Sequence, residues 1–109
     1  MRCSWWVTRW VFRYRKRIHE VASSHGLPTF VPAPEYLEGG GVMAYGPSLR
    51  DAARRTAVYV DKILRGAKPA ELPVERPREY RLIVNQRAAR QLGLVIPQAL
   101  IARADEVIE

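Results

Sequence analysis

The apolar residues of this chain come in short runs punctuated by proline and glycine: LPTFVP at 27–32, GVMAYG at 41–46 and, after a proline-rich stretch, EYRLIV at 79–84. Runs this short cannot supply the helices of a bundle, but their length suits strands. LPTFVP is held between two prolines and reads as a buried strand, Thr29 to Val31. GVMAYG is apolar throughout, as expected of a strand covered on both faces of a parallel sheet. EYRLIV places Tyr80, Leu82 and Val84 on one face and Arg81 and Ile83 on the other. Helical patterns between these runs make the fold class α/β, and 109 residues suffice for one domain and not two.

FRYRKRIHEVASSHG carries Tyr14, Ile18, Val21 and Ala22 at helical spacing, with Gly26 placed to end the helix. PEYLEGG forms one or two helical turns opened by Pro34. The clearest element follows Ser48: Leu49, Ala52, Ala53, Thr56, Val60, Ile63 and Leu64 make one apolar stripe, and Gly66 stops the helix. Ser48 is its N-cap, Asp51 lies near its positive end, and Arg50, Arg54, Arg55, Asp61 and Lys62 stay wet. AKPAELPVERP, 67–77, is an extended connector. Asn85 caps a short helix, QRAARQLG, ended by Gly93; Pro97 opens a last helical turn or two, and DEVIE is the tail.

GGGVMAYGPS, 39–48, invites a phosphate-binding reading, because clustered glycines before a helix let backbone N–H groups converge on an anion. No lysine follows the glycines, and they precede the apolar strand where a dinucleotide fingerprint needs them after it. The loop reads as a bend between strand and helix.

The net charge of +7 is concentrated at one end. Arg2, Arg9, Arg13, Arg15, Lys16 and Arg17 precede the first acid, Glu20, and the remaining twelve Lys and Arg face all eleven acids. Residues 1–12, with Arg2, Arg9 and three tryptophans, read as a basic, tryptophan-rich head that runs into the cations of 13–17. With Trp5, Trp6 and Trp10 nearby, RYRKR is a candidate nucleic-acid patch; the alternative is a solvated helix face. A lone cysteine, Cys3, excludes an internal disulfide and a CxxC zinc pair. Arg9 interrupts the only apolar stretch long enough for a secretory signal, and nothing approaches a membrane span, so the chain as written is expected in the cytoplasm.

Catalytic constellations are scarce. His19 and His25 stand six apart, on different helix faces, with no acid or cysteine at ligand spacing, so no metal is expected. Glu35 and Glu38 are a candidate carboxylate pair that reads better as a solvated edge. No nucleophile-elbow pattern occurs, and neither enzyme activity nor a cofactor is expected.

The ordered motifs GGVMAYGPSL, YVDKILRGAKPAELPVE, LIVN followed by A and LGL, and the closing ARADEVIE strongly resemble the C-terminal end of substrate-binding proteins of ABC transporters, in the bacterial family related to tryptophan and tyrosine uptake components. The resemblance extends back through LPTFVPAPEYLE to about Arg13, making 13–109 the matching part. It implies a partial periplasmic-binding-protein-like (type I) fold, a fragment of a two-lobed Rossmann-like architecture. Function would be capture of a small, amino-acid-like solute in an inter-lobe cleft and presentation to an ABC permease in the membrane, with a periplasmic location. By that pattern residues 27–45 and the strand from Tyr80 to Val84 belong to the second lobe, the helix from Ser48 to Arg65 to the first, and 67–77 crosses between them. The first lobe's sheet would lie outside this tail, leaving the long helix to repack, self-associate or stay exposed.

Ligands of open α/β folds sit beyond the carboxyl ends of strands, which nominates Pro32, Glu35, Tyr45 and Gly46. Tyr45 either stacks on the solute or plugs the strand end against the next helix; Glu35 suits an ammonium group. Two departures from the family stand out: TRWVF where an acid and proline commonly end a strand, and Ala33–Pro34 where an aromatic and arginine usually precede Glu35.

Overall fold

The computed structural model describes residues 9–109. The N-terminal part of the head, with Arg2, Cys3, Trp5 and Trp6, lies outside the described residues. The chain order is α1 (Arg9–Arg13), α2 (Arg15–Ser24), β1 (Phe30–Val31), a 3-10 turn (Pro34–Tyr36), β2 (Met43–Gly46), α3 (Leu49–Leu64), a second 3-10 turn (Pro69–Glu71), β3 (Arg81–Asn85), α4 (Gln86–Gln91), α5 (Gln98–Arg103) and β4 (Glu106–Ile108).

One four-stranded mixed sheet, ordered β1-β2-β3-β4, forms the body. β1 runs parallel to β2, β2 antiparallel to β3, and β3 parallel to β4. The expected all-parallel burial of GVMAYG is therefore corrected: along β2, Ala44 and Gly46 are buried while Tyr45 is exposed. The antiparallel neighbour explains this, since such sheets leave part of one face to water. Register aligns Val31, Ala44 and Ile83 across three strands. With Ala33, Tyr36 and Leu37 they make the main core, closed by Val11, Phe12 and Ile108. Phe12 meets Tyr36 edge-on at 5.1 Å, and the Arg15 guanidinium lies 4.3 Å from the Phe12 ring centre. A second cluster, Val42, Ala88 and Ala89 with Leu92 and Ile96, seats α4.

α1 and α2 form nearly one rod, because Tyr14 N–H donates to the Trp10 carbonyl and Ile18 N–H to that of Tyr14. TRWVF thus supplies helix, not strand end, from Arg9 onward. The expected stripe is also corrected: Tyr14 and Val21 are exposed, and the buried residue of α2 is His19. Its Nε2–H donates to the Tyr36 carbonyl at 2.8 Å, and its Nδ1 lies 2.7 Å from Thr29 Oγ1. That polar clamp ties helix, first strand and 3-10 turn together.

Asn85 caps α4 as expected, its side-chain oxygen accepting Ala88 N–H at 3.1 Å. The tail adds an unforeseen strand, β4, pinned where Asp105 accepts Leu82 N–H at 2.7 Å and returns its own N–H to the Leu82 carbonyl. Tyr80 falls just outside β3.

α3 has no buried residue. Its apolar face and the connector stand away from the body, and the chain measures 56 × 31 × 21 Å with a radius of gyration of 17.1 Å. A compact domain of this length would have about 13 Å.

Candidate functional site

The ends of β1 and β2 carry the residues nominated from the sequence. Gly46 closes β2 against the Pro32 carbonyl so tightly that a Cβ there would sit 1.8 Å from that oxygen. Only a glycine lets these two strand ends meet. Three residues after Pro32, Glu35, on the 3-10 turn, reaches across to the start of α3: its Oε1 accepts the Ser48 hydroxyl at 3.0 Å and Arg50 N–H at 3.4 Å. Ser48 occupies the N-cap position with extended backbone, but its side chain bonds no helix N–H. The expected serine cap is thus corrected. A carboxylate thirteen residues upstream meets the helix terminus instead, where negative charge is favoured by the helix dipole. The other oxygen, Glu35 Oε2, is enclosed and has no hydrogen-bond partner among the described residues.

Pro32, Glu35 and Gly46 are therefore gathered on one side. Tyr45 projects from the opposite face of β2, as strand alternation requires, and is 62% exposed. It stacks on Tyr80, with ring centres 5.8 Å apart. Tyr80 was not singled out in the sequence, although its period-two relation to Leu82, the register partner of Tyr45, carries the signal. Both faces end at the same place, where the chain leaves the sheet for α3 and re-enters it at β3.

Glu38 does not pair with Glu35. It holds Arg15 and Lys16, the latter at 3.1 Å, and the hydrogen bond from Arg15, followed by that from Lys16, lowers its pKa below the ordinary carboxylate range. The glycines that suggested a phosphate cradle pack on α2: a Cβ on Gly39, whose φ is +105°, would lie 2.9 Å from the Lys16 Cα. A separate groove of about 690 Å³ runs between α3 and the connector, walled by Ala52, Thr56, Tyr59, Ile63, Leu72 and Val74. Tyr59 donates to the Pro73 carbonyl, and Arg55 faces Glu75 at 3.5 Å, holding the connector beside the helix. Among the described residues no cluster of three His, Cys, Asp or Glu occurs, and no helix is long and apolar enough to cross a membrane.

Residues 11–108 match the sequence model of a family described as ABC transporter substrate binding protein. No curated protein sequence matches the chain. Among solved structures, a conserved domain protein from Vibrio cholerae O1 biovar El Tor is similar with a TM-score of 0.88 and 32% identity, over 93% of this chain and 34% of that one. An ABC domain from Streptococcus pneumoniae, solved in complex with L-Trp, is similar with a TM-score of 0.75 and 27% identity, over 84% and 32%. The open, ligand-free substrate binding protein CD0873 from Clostridium difficile shares the fold, with a TM-score of 0.59 and 18% identity, over 94% and 34%. The chain spans about a third of the length of these solved relatives.

Proposed function

The chain belongs to the ABC transporter substrate binding protein family, and on that premise we propose that it forms one wall of a cleft that captures a small, amino-acid-like solute for an ABC permease. The role is binding, not catalysis. The observation that carries it is the meeting of strand ends at Gly46, with the exposed Tyr45 ring on one side and the Glu35 carboxylate on the other. A site beyond the carboxyl ends of strands is where open α/β folds take their ligands. Tyr45 offers a ring face to the solute, the Glu35 carboxylate supplies the negative charge that suits its ammonium group, and Pro32 and Gly46 shape the floor by backbone.

In this reading residues 13–109 are the family part, α3 belongs to the opposite lobe, and residues 67–77 are the inter-lobe connector. The apolar groove beside α3 is then the seat of that lobe's sheet. The solute class draws support from the relative solved with L-Trp, and the family's usual location, periplasmic or extracellular, is the one proposed. The test is a titration of the isotope-labelled chain with L-tryptophan, followed by amide chemical shifts. Saturable changes centred on residues 32–35 and 45–48, abolished by Tyr45→Ala, are expected. Changes scattered over the surface, or none, would overturn the proposal.

A further inference from the structure

We propose that the outward face of the α1–α2 rod is a docking surface for an anionic phospholipid bilayer. At about 100° per residue, Arg9, Arg13 and Arg17 fall within roughly 80° of arc, and Trp10, Val21 and Tyr14 occupy the next roughly 40°. All six are exposed, Trp10 at 69%, and Glu20 is the single acid on that face. The inward face holds His19, Phe12 and Arg15 against the body.

Charge separates the two sets of cations. Arg15 and Lys16 share the Glu38 carboxylate, whereas Arg9, Arg13 and Arg17 enter no ion pair among the described residues. Three free guanidiniums beside an amphipathic aromatic strip match the headgroup layer of an anionic membrane, where arginines meet phosphates and Trp and Tyr lie at the boundary. The geometry disfavours nucleic acid. Trp10 and Tyr14 lie parallel within 2°, centres 6.1 Å apart, so each ring turns one face toward the other and keeps only its outer face for a base. Val21 extends the strip with an aliphatic side chain that has no use for a base but buries well among acyl chains.

The test is co-sedimentation of the 109-residue chain with phosphatidylglycerol vesicles and with phosphatidylcholine vesicles. Binding to the first, weakened by salt, and little to the second are expected. Arg13→Glu with Arg17→Glu should lower partitioning at least about tenfold, since each arginine near an anionic surface contributes about fivefold. Trp10→Ser should lower it at low salt without a change in net charge. The control is Arg87→Glu with Arg103→Glu, the same charge change on exposed residues elsewhere; it should retain most binding. Equal loss in the two double variants would reduce the effect to bulk charge and overturn the proposal. Tighter retention on a single-stranded oligonucleotide than on the vesicles, lost in Arg13→Glu with Arg17→Glu, would overturn it in favour of nucleic acid.

Discussion

In the sheet body His19, Thr29, Tyr36, Ala44 and Val84 are shut away from water, while along the sixteen residues of α3 no side chain is buried. Both regions have the apolar spacing of elements that pack. The difference lies in what meets them. The body is closed by contacts between segments far apart in sequence: His19 to Tyr36, Arg15 to Glu38, Ala44 to Ile83 and Asp105 to Leu82. α3 touches the body at its first turn, where Glu35 accepts Arg50 N–H, and along its length it is held to the connector that follows it through Tyr59 and Arg55. An amphipathic pattern therefore guarantees a face suited to burial, but long-range partners decide whether it is buried.

The comparison breaks first at Gly46. In Gly46→Ala the new methyl would collide with the Pro32 carbonyl, and two backbones must separate to admit it. Destabilisation of about 4 kcal/mol or more is expected, read as a lower urea midpoint by circular dichroism. Next comes His19→Ala, which opens a cavity in the body and leaves Thr29 Oγ1 and the Tyr36 carbonyl without this partner. A loss of about 2–4 kcal/mol is expected. If either variant unfolds at the wild-type midpoint, the body is not the closed unit described.

Local pattern was enough for much of this architecture. The spacing from Leu49 to Leu64 marked α3, Asn85 marked the start of α4, and the prolines around Thr29 to Val31 marked β1, because each signal lies within a few residues of its effect. What escaped depends on distant partners. His19 is buried because Thr29 and Tyr36 satisfy its ring, so a polar residue occupies the face where an apolar stripe was expected. Val107 and Ile108 are too short a run to announce a strand until β3 supplies the pairing. Ser48 looked sufficient as a cap because Glu35, the acid that meets the helix, stands thirteen residues upstream. Of the candidate site, the strand-end rule nominates Pro32, Glu35 and Gly46, which the fold places near one another at the ends of β1 and β2. The Tyr45–Tyr80 stack needed the β2–β3 register.

For α3 the expectation is the reverse of that for the body. Ile63 is 40% exposed, so Ile63→Ala should change the urea midpoint by no more than about 0.5 kcal/mol in stability. Amides of α3 should also exchange with deuterium well before those of β2 and β3, because solvent-facing helices open locally. Protection in α3 equal to that of β3, rising with protein concentration, would mean that a second copy covers the helix and that the contrast belongs to the lone chain only.

The smallest effect sharpens the contrast at the body's own surface. Glu38 joins the loop after the 3-10 turn to α2 through Arg15 and Lys16, and those cations hold its pKa below the ordinary carboxylate range. A carboxylate depressed in the folded state stabilises it fully above the unfolded pKa, and the contribution is lost as pH falls through the folded value. Glu38→Gln should therefore lower the urea midpoint slightly at neutral pH. The gap between variant and wild type should close on acidification below the ordinary carboxylate range. Because the pair is exposed, added salt should shrink the gap as well. Parallel pH profiles for the two proteins would mean that this ion pair does not help to hold the loop on α2, leaving Gly39 packed against Lys16 and the His19 clamp to do so.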